Sequence, residues 1–301
     1  MSIQFQFYKM SIISPVIRSF LFTILLLSLY YSNSSYNGLL FPSSVNHLIS
    51  YDQDYDLSKQ ILFSSKHQNS ISSNYIMFPN KINVGVFNYA YDLKSYKALS
   101  SLYIINYGDF DDSESGYIFS SKDYIIKNRI SKKINNNIYS SFDLKYIYSY
   151  IDTYSSNAIA IKFSLYYYNK RFLLQAFLDN YGLIINQYSQ FEERLPITCG
   201  HKIMFIPKYI DAIFTLKHDY FNHYSTFNIS GELFLLQSSS VIVGFSSLSK
   251  ELYYGEFYND FFTGISFGLS TEYKNYLMKI GFKNLGAIGL SSAFTITRLI
   301  N

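Results

Sequence analysis

The sequence predicts an all-β protein that crosses a membrane as one closed antiparallel barrel of about fourteen strands. Three observations carry this expectation. Side chains alternate apolar and polar with a period of two, the apolar side is rich in Tyr, and an export signal precedes a chain with no later apolar run long enough for a spanning helix.

The alternation is clearest across residues 137–168. Ile138, Phe142, Leu144, Tyr146, Tyr148 and Tyr150 share one parity, and Asn137, Ser141, Asp143, Lys145 and Ser149 share the other. A second run repeats the pattern, with Ile159, Ile161, Phe163, Leu165 and Tyr167 against Ala158, Lys162 and Ser164. Successive strand residues point to opposite faces, so each run has one apolar and one polar face, and the pair reads as a hairpin. A soluble sandwich alternates too, but its inner face is built from Val, Ile and Leu, whereas Tyr belongs at membrane interfaces. Phe142, Leu144, Phe163, Leu165, Leu174 and Leu178 are therefore expected on the lipid side. Asp143, Lys145, Lys162, Gln175 and Asp179 are expected in the lumen.

In residues 1–34, Lys9 and Arg18 precede an apolar run from position 20 to 31 that gives way to Ser32, Asn33 and Ser34, the shape of a secretory signal peptide. The run is shorter than the roughly 20 apolar residues of a membrane-spanning helix. Without Lys9 and Arg18 the rest carries 23 basic and 21 acidic residues, no footprint for nucleic acid. Cys199 is the single cysteine, so no intramolecular disulfide forms. Trp is absent against 32 Tyr and 27 Phe, which leaves those two to build any interfacial girdle.

Residues 35–60 hold Gly38, Phe41, Pro42 and scattered Asp with weak periodicity, an irregular segment able to plug or line a lumen. The barrel is expected over residues 61–301. Short strands are expected at 61–65, 71–78 and 82–91, then at 98–107, where an acidic loop of residues 108–116 follows. That loop's Asp109, Asp111, Asp112 and Glu114 offer hard oxygen ligands but lack a full calcium-loop spacing, so it reads as a solvated turn. A strand at 117–130 leads to a turn holding Lys132 and Lys133; one at 171–181 is ended by Gly182. Strands at 197–206 and 209–219 flank Pro207, and the last third alternates most regularly, small residues and charges falling on the inner side.

Nothing points to an enzyme. The five histidines are scattered, His218 and His223 being the closest pair, and no nucleophile elbow, phosphate loop, metalloprotease or dinucleotide motif occurs. No cofactor or metal is implied.

At Tyr107, Gly108, Asp109 and Phe110, with Asp112 and Gly116 following, the chain resembles the PorQ/PorV group of type IX secretion proteins. The series continues through Phe119, Asp123, Asn180, Tyr181, Gly182, Tyr188, Glu193, Arg194, Leu195, Pro196 and the final residues 289–297, in an order and spacing closer to the PorQ branch. Two features depart from the group: residues 57–60 stand where it has an Asn-Pro-Ala segment, and Lys162 where it has an acidic residue. The resemblance implies a barrel similar to the FadL fatty acid transporters in the outer membrane of a Bacteroidetes-type bacterium. It implies as partners the sortase PorU, PorV and PorZ beside outer-membrane lipid and lipopolysaccharide, and a role in attaching secreted cargo at the cell surface. A transporter of hydrophobic compounds is the alternative function.

Overall fold

The structure, a computed structural model, describes residues 36–63, 69–93, 95–112, 116–188, 193–221, 224–236, 238–247 and 262–300. The signal-peptide reading of residues 1–34 lies outside the described residues.

Alternation does make strands here. Fourteen of them, β1 (Asn69–Met77), β2 (Asn83–Leu93), β3 (Tyr96–Asp112), β4 (Tyr117–Lys133), β5 (Ile138–Ile151), β6 (Tyr154–Asn169), β7 (Phe172–Asn186), β8 (Thr198–Phe205), β9 (Ala212–Phe221), β10 (Tyr224–Leu236), β11 (Ser239–Ser246), β12 (Ile265–Tyr273), β13 (Tyr276–Asn284) and β14 (Leu290–Ile300), form one closed antiparallel barrel. Each strand pairs with its neighbours in sequence, and β1 pairs with β14 from Asn69 opposite Ile300 to Met77 opposite Ser292. Closure leaves no open sheet edge, which hydrocarbon would not tolerate.

The two faces sort as the sequence expects. Phe142, Leu144 and Leu174 are exposed on the outside, and Phe163, Leu165 and Leu178 share that side half-buried. Asp143, Lys145, Lys162, Gln175 and Asp179 are all buried in the lumen. The wall is uneven in height: β3 and β4 have 17 residues each, whereas β8 and β11 have 8. One end carries tight turns, such as Lys170-Arg171 and Lys274-Asn275, and the other carries the long connections 187–197 and 247–264.

Five local expectations are corrected. The segment expected to be irregular holds a 3-10 turn (Asn37–Leu40) and two helices, α1 (Val45–Ser50) and α2 (Tyr55–Leu62). The strand expected at 61–65 does not start there: Ile61 and Leu62 end α2, and the first strand among the described residues starts at Asn69. The acidic stretch after Gly108 is not a free loop, since Asp109 to Asp112 pair with Ser120 to Tyr117 beyond a bulge at Tyr107 and Gly108. Gly182 does not end β7 but sits inside it, and Lys132 and Lys133 are strand residues of β4. At Gly182 a side chain would run into the backbone of Ile159 and Ala160, so the glycine marks a close approach between β6 and β7 near a register shift.

The helices lie inside the barrel. Every residue of α1 is buried, a property of helices enclosed on all sides. Ser44 caps it by accepting the His47 amide, and Tyr51 stops it in the left-handed region at φ 56°. The helix sits in a groove made by three glycines of β11 to β13: a Cβ on Gly244 would strike the Ile49 carbonyl, and one on Gly268 or Gly281 would strike Val45 or Ile49 side chains.

Candidate functional site: the luminal plug and its cavity

The sequence Asp52-Gln53-Asp54-Tyr55-Asp56 runs from the connection after α1 into the first turn of α2 and puts three carboxylates at alternate positions against inward-pointing cations of the wall. Asp54 is the hub. Its Oδ1 accepts from Arg129 Nη2 at 2.5 Å, and its Oδ2 lies 2.8 Å from Lys162 Nζ and accepts from Gln175 at 2.8 Å. Arg129 also grips Asp143 through Nε and Nη2, both at 2.7 Å, a fork geometry that a lysine cannot supply. Burial by itself would raise the Asp54 carboxyl, but Arg129, Lys162 and Lys202 reverse this and hold it well below the usual carboxylate range.

Around the hub the pairing continues. Lys202 donates to Asp52 and Ser58, each at 2.6 Å; Lys145 donates to Asp179 at 2.6 Å and to Asn180 at 2.7 Å. Glu232 of β10 receives Tyr55 at 2.7 Å and Lys59 at 2.8 Å, while Lys279 reaches Asp56 at 3.1 Å. The plug is thus fastened to opposite sides of the barrel by side chains far apart in sequence. Buried ions need partners of this quality, because desolvation costs several kcal/mol per charge.

At the long-loop end the contacts turn aromatic and apolar. Tyr36 hydrogen-bonds Ser156, and Phe41 packs edge-on against Phe78 at 5.1 Å and Tyr107 at 5.9 Å. Leu39, Ile76, Val84, Ile105 and Leu195 complete a buried cluster there. Tyr107 donates to Asp123 at 2.6 Å, and Asp123 also accepts from Ser149, which in turn receives Tyr188. Gly38 is required beside them, since a Cβ would strike the Asp123 carboxylate and the Tyr107 hydroxyl.

The residues that carry the family resemblance divide into two groups. Tyr107, Asn180, Leu195 and Pro196 lie toward the long-loop end of the plug, where Asn180 Nδ2 donates to the Pro196 carbonyl at 3.1 Å; Gly182 and Glu193 lie on the same stretch of β7 and its following connection. Gly108, with φ 88°, forms the bulge, and Asp109, Phe110, Asp112 and Gly116 extend beyond it along the β3–β4 hairpin, where Phe110 stacks on Phe119 at 5.3 Å. The acidic triplet Asp52, Asp54 and Asp56 was invisible to strand periodicity. The signal for it was its charge, set against the Lys and Arg of the inner parity. The fold also sets His201 opposite His218 on β8 and β9, ring centroids 4.9 Å apart, a pair that spacing did not suggest. Among the described residues no cluster of three or more His, Cys, Asp or Glu is placed to hold a metal ion.

The plug packs on β6, β7 and β10 to β14 and leaves a cavity of about 590 Å³ beside β12 to β14 and β1 to β4, lined by Asn74, Lys97, Tyr103, Lys127, Lys279 and Thr295 from the wall and Gln53, Leu57 and Phe63 from the plug. Its lining runs to the tight-turn end at Lys97 and Glu272; toward the other end the cluster around Phe41 and Tyr107 fills the lumen.

No protein-family model and no curated protein matches the chain. Solved structures do. The toluene transporter TbuX of Ralstonia pickettii aligns over 88% of this chain and all of its own, at 8% identity and a TM-score of 0.59. The monoaromatic hydrocarbon channel CymD aligns over 87% of this chain and 98% of its own, at 7% identity and a TM-score of 0.59. A FadL homologue of Pseudomonas aeruginosa aligns over 89% and 98%, at 8% identity and a TM-score of 0.50. The fold is that of the fourteen-strand FadL-type outer-membrane barrels.

Proposed function

We propose that the chain is an outer-membrane transporter that lets small molecules, hydrophobic compounds among them, cross beside its N-terminal plug. The cavity of about 590 Å³ carries the reading, because it leaves room for a small molecule between the plug and the wall of β12 to β14 and β1 to β4, on the tight-turn side of the Phe41 and Tyr107 cluster. The likeness in fold to a toluene transporter and a hydrocarbon channel supports it. In bacterial outer-membrane barrels tight turns face the periplasm, which orients the open side of the cavity inward. No enzymatic step is part of the proposal. Uptake of radiolabelled toluene by a deletion strain and by the same strain carrying the gene tests it. Restored uptake on complementation is expected; equal uptake in both strains overturns it.

A second reading keeps the type IX attachment role, with PorU, PorV and PorZ as partners and outer-membrane lipid and lipopolysaccharide around the barrel. One observation favours it. The β3–β4 ladder extends past the bulge at Gly108 as a hairpin with exposed Phe110, Tyr117 and Ile118, a surface on which a partner can rest. Recovery of a sortase in a pull-down of the tagged protein, and release of unattached cargo on deletion, are the outcomes this reading requires.

A further inference from the structure

Lys127 is left over by the luminal ion network. It points inward from β4 and is 4% exposed, yet among the described residues no carboxylate lies within ion-pair distance and its ammonium makes no hydrogen bond. Its neighbour is the ring of Tyr103, 5.1 Å from Nζ to centroid. Directly across the ladder on one side stands Lys145, whose own ammonium is taken by Asp179 and Asn180. Directly across on the other side stands Ser101, whose Oγ is buried without a hydrogen-bond partner. Two like charges face each other over one strand pair, which destabilises, and a buried cation with no anion beside a buried hydroxyl with no acceptor is an arrangement that the protein alone leaves incomplete.

The missing group is an anion with hydrogen-bond acceptors. Lys127 lines the cavity, whereas the other cations around it, Arg129, Lys59 and Lys279, are already matched to Asp54 and Asp143, Glu232 and Asp56. Lys97, one inward position beyond Arg129 on the ladder toward the tight-turn end, places another cation on the way in. About 590 Å³ is far more than a bare ion needs and falls within the roughly 300–1,000 Å³ of small-molecule sites. Tyr103, Leu99 and Leu57 give that volume an apolar side on which the body of a ligand can lie.

We infer that Lys127 forms a buried anion subsite that takes the carboxylate of a small organic acid, its body lying against Tyr103 in the cavity, with the Ser101 hydroxyl behind it across the ladder and outside the cavity lining. The subsite rests on the transport reading for its purpose, while its occupancy is measured without transport. The test is calorimetric titration of the purified full-length protein in detergent with benzoate, with inorganic phosphate and toluene as comparators, on the native chain, Lys127→Met and Ser101→Ala. Benzoate is expected to bind the native protein about tenfold or more tightly than either comparator, to lose about tenfold or more in Lys127→Met, and to lose less in Ser101→Ala. Lys127→Met removes an unmatched buried charge, so it keeps the fold, checked by its heat-modifiable band. Equal benzoate affinity in the native protein and Lys127→Met overturns the subsite. Phosphate binding as tight as benzoate makes it a site for inorganic anions and overturns the organic acid. Normal toluene uptake with no benzoate binding removes the subsite and keeps the transporter; intact binding with no uptake in the complemented strain does the reverse.

Discussion

Asp54 shows how much one carboxylate can hold in a low-dielectric lumen. It joins Arg129, Lys162 and Gln175, so Asp54→Ala leaves two buried cations short of their counter-charge, and a loss of about 3–5 kcal/mol is expected in urea unfolding of the detergent-solubilised protein. Its depressed pKa sets the acid behaviour. The unfolded chain takes up a proton at Asp near pH 4, whereas the folded carboxyl stays charged, so this stabilisation is complete above about pH 4 and is lost only as pH falls through the lower folded value. His47 acts earlier. Burial, then Lys217, Lys162 and Lys127, press its pKa well below 6.5, and its Nδ1 accepts the Ser43 amide at 3.0 Å. The unfolded chain protonates as pH drops below about 6.5 while the folded ring stays neutral, so stability falls with acid from that point. His47→Gln is expected to flatten melting temperature between pH 7 and 5 relative to the native chain, and an unchanged slope would show that His47 does not set it.

At the scale of elements, the plug and the wall are separable. Strands β1 to β14 satisfy one another's backbone, and the plug meets them through side chains, apart from a few bonds such as Ser266 to the Ile49 carbonyl at 3.0 Å and Lys217 to the Tyr51 carbonyl at 2.7 Å. Deleting residues 36–63 is therefore expected to leave a closed barrel that passes small sugars in a liposome-swelling assay, where the full chain passes them slowly. Gly244→Leu is expected to give the same leak without deletion, because its side chain fills the groove that α1 occupies; swelling no faster than the native protein would show that α1 tolerates the change.

For the whole molecule, the bilayer is the solvent of one face and the ion network is the filling of the other. Leu144→Lys, on the lipid side, is expected to cost about 2–4 kcal/mol in folding into lipid vesicles if it lies near the midplane, whereas Ile130→Lys, nearer the tight-turn rim of β4, costs less. Reversible denaturation followed by tryptic protection in vesicles measures both. The barrel's height also bears on function: the long β3 to β7 side carries the hairpin that reaches beyond the bulge, and the short β8 and β11 to β13 side carries the groove for α1.

Residues 137–168 show what the sequence determined by itself. A strand's side chains alternate every residue, so Phe142 against Asp143 and Phe163 against Lys162 assign both faces locally, and Tyr in place of Val names lipid as the neighbour. Strand ends were less legible. Gly182 looked like a stop because glycine breaks strands, and Gly108 like the start of a loop; in the fold one permits close approach of Ile159 and the other a bulge. Only the tertiary structure decided the plug. Its helices have six and eight residues, too short to be stable alone in water, and they exist because the glycine groove, Arg129, Lys162, Lys202 and Glu232 surround them, partners from 75 (Asp54 to Arg129) to 236 (Val45 to Gly281) residues away that no local pattern connects.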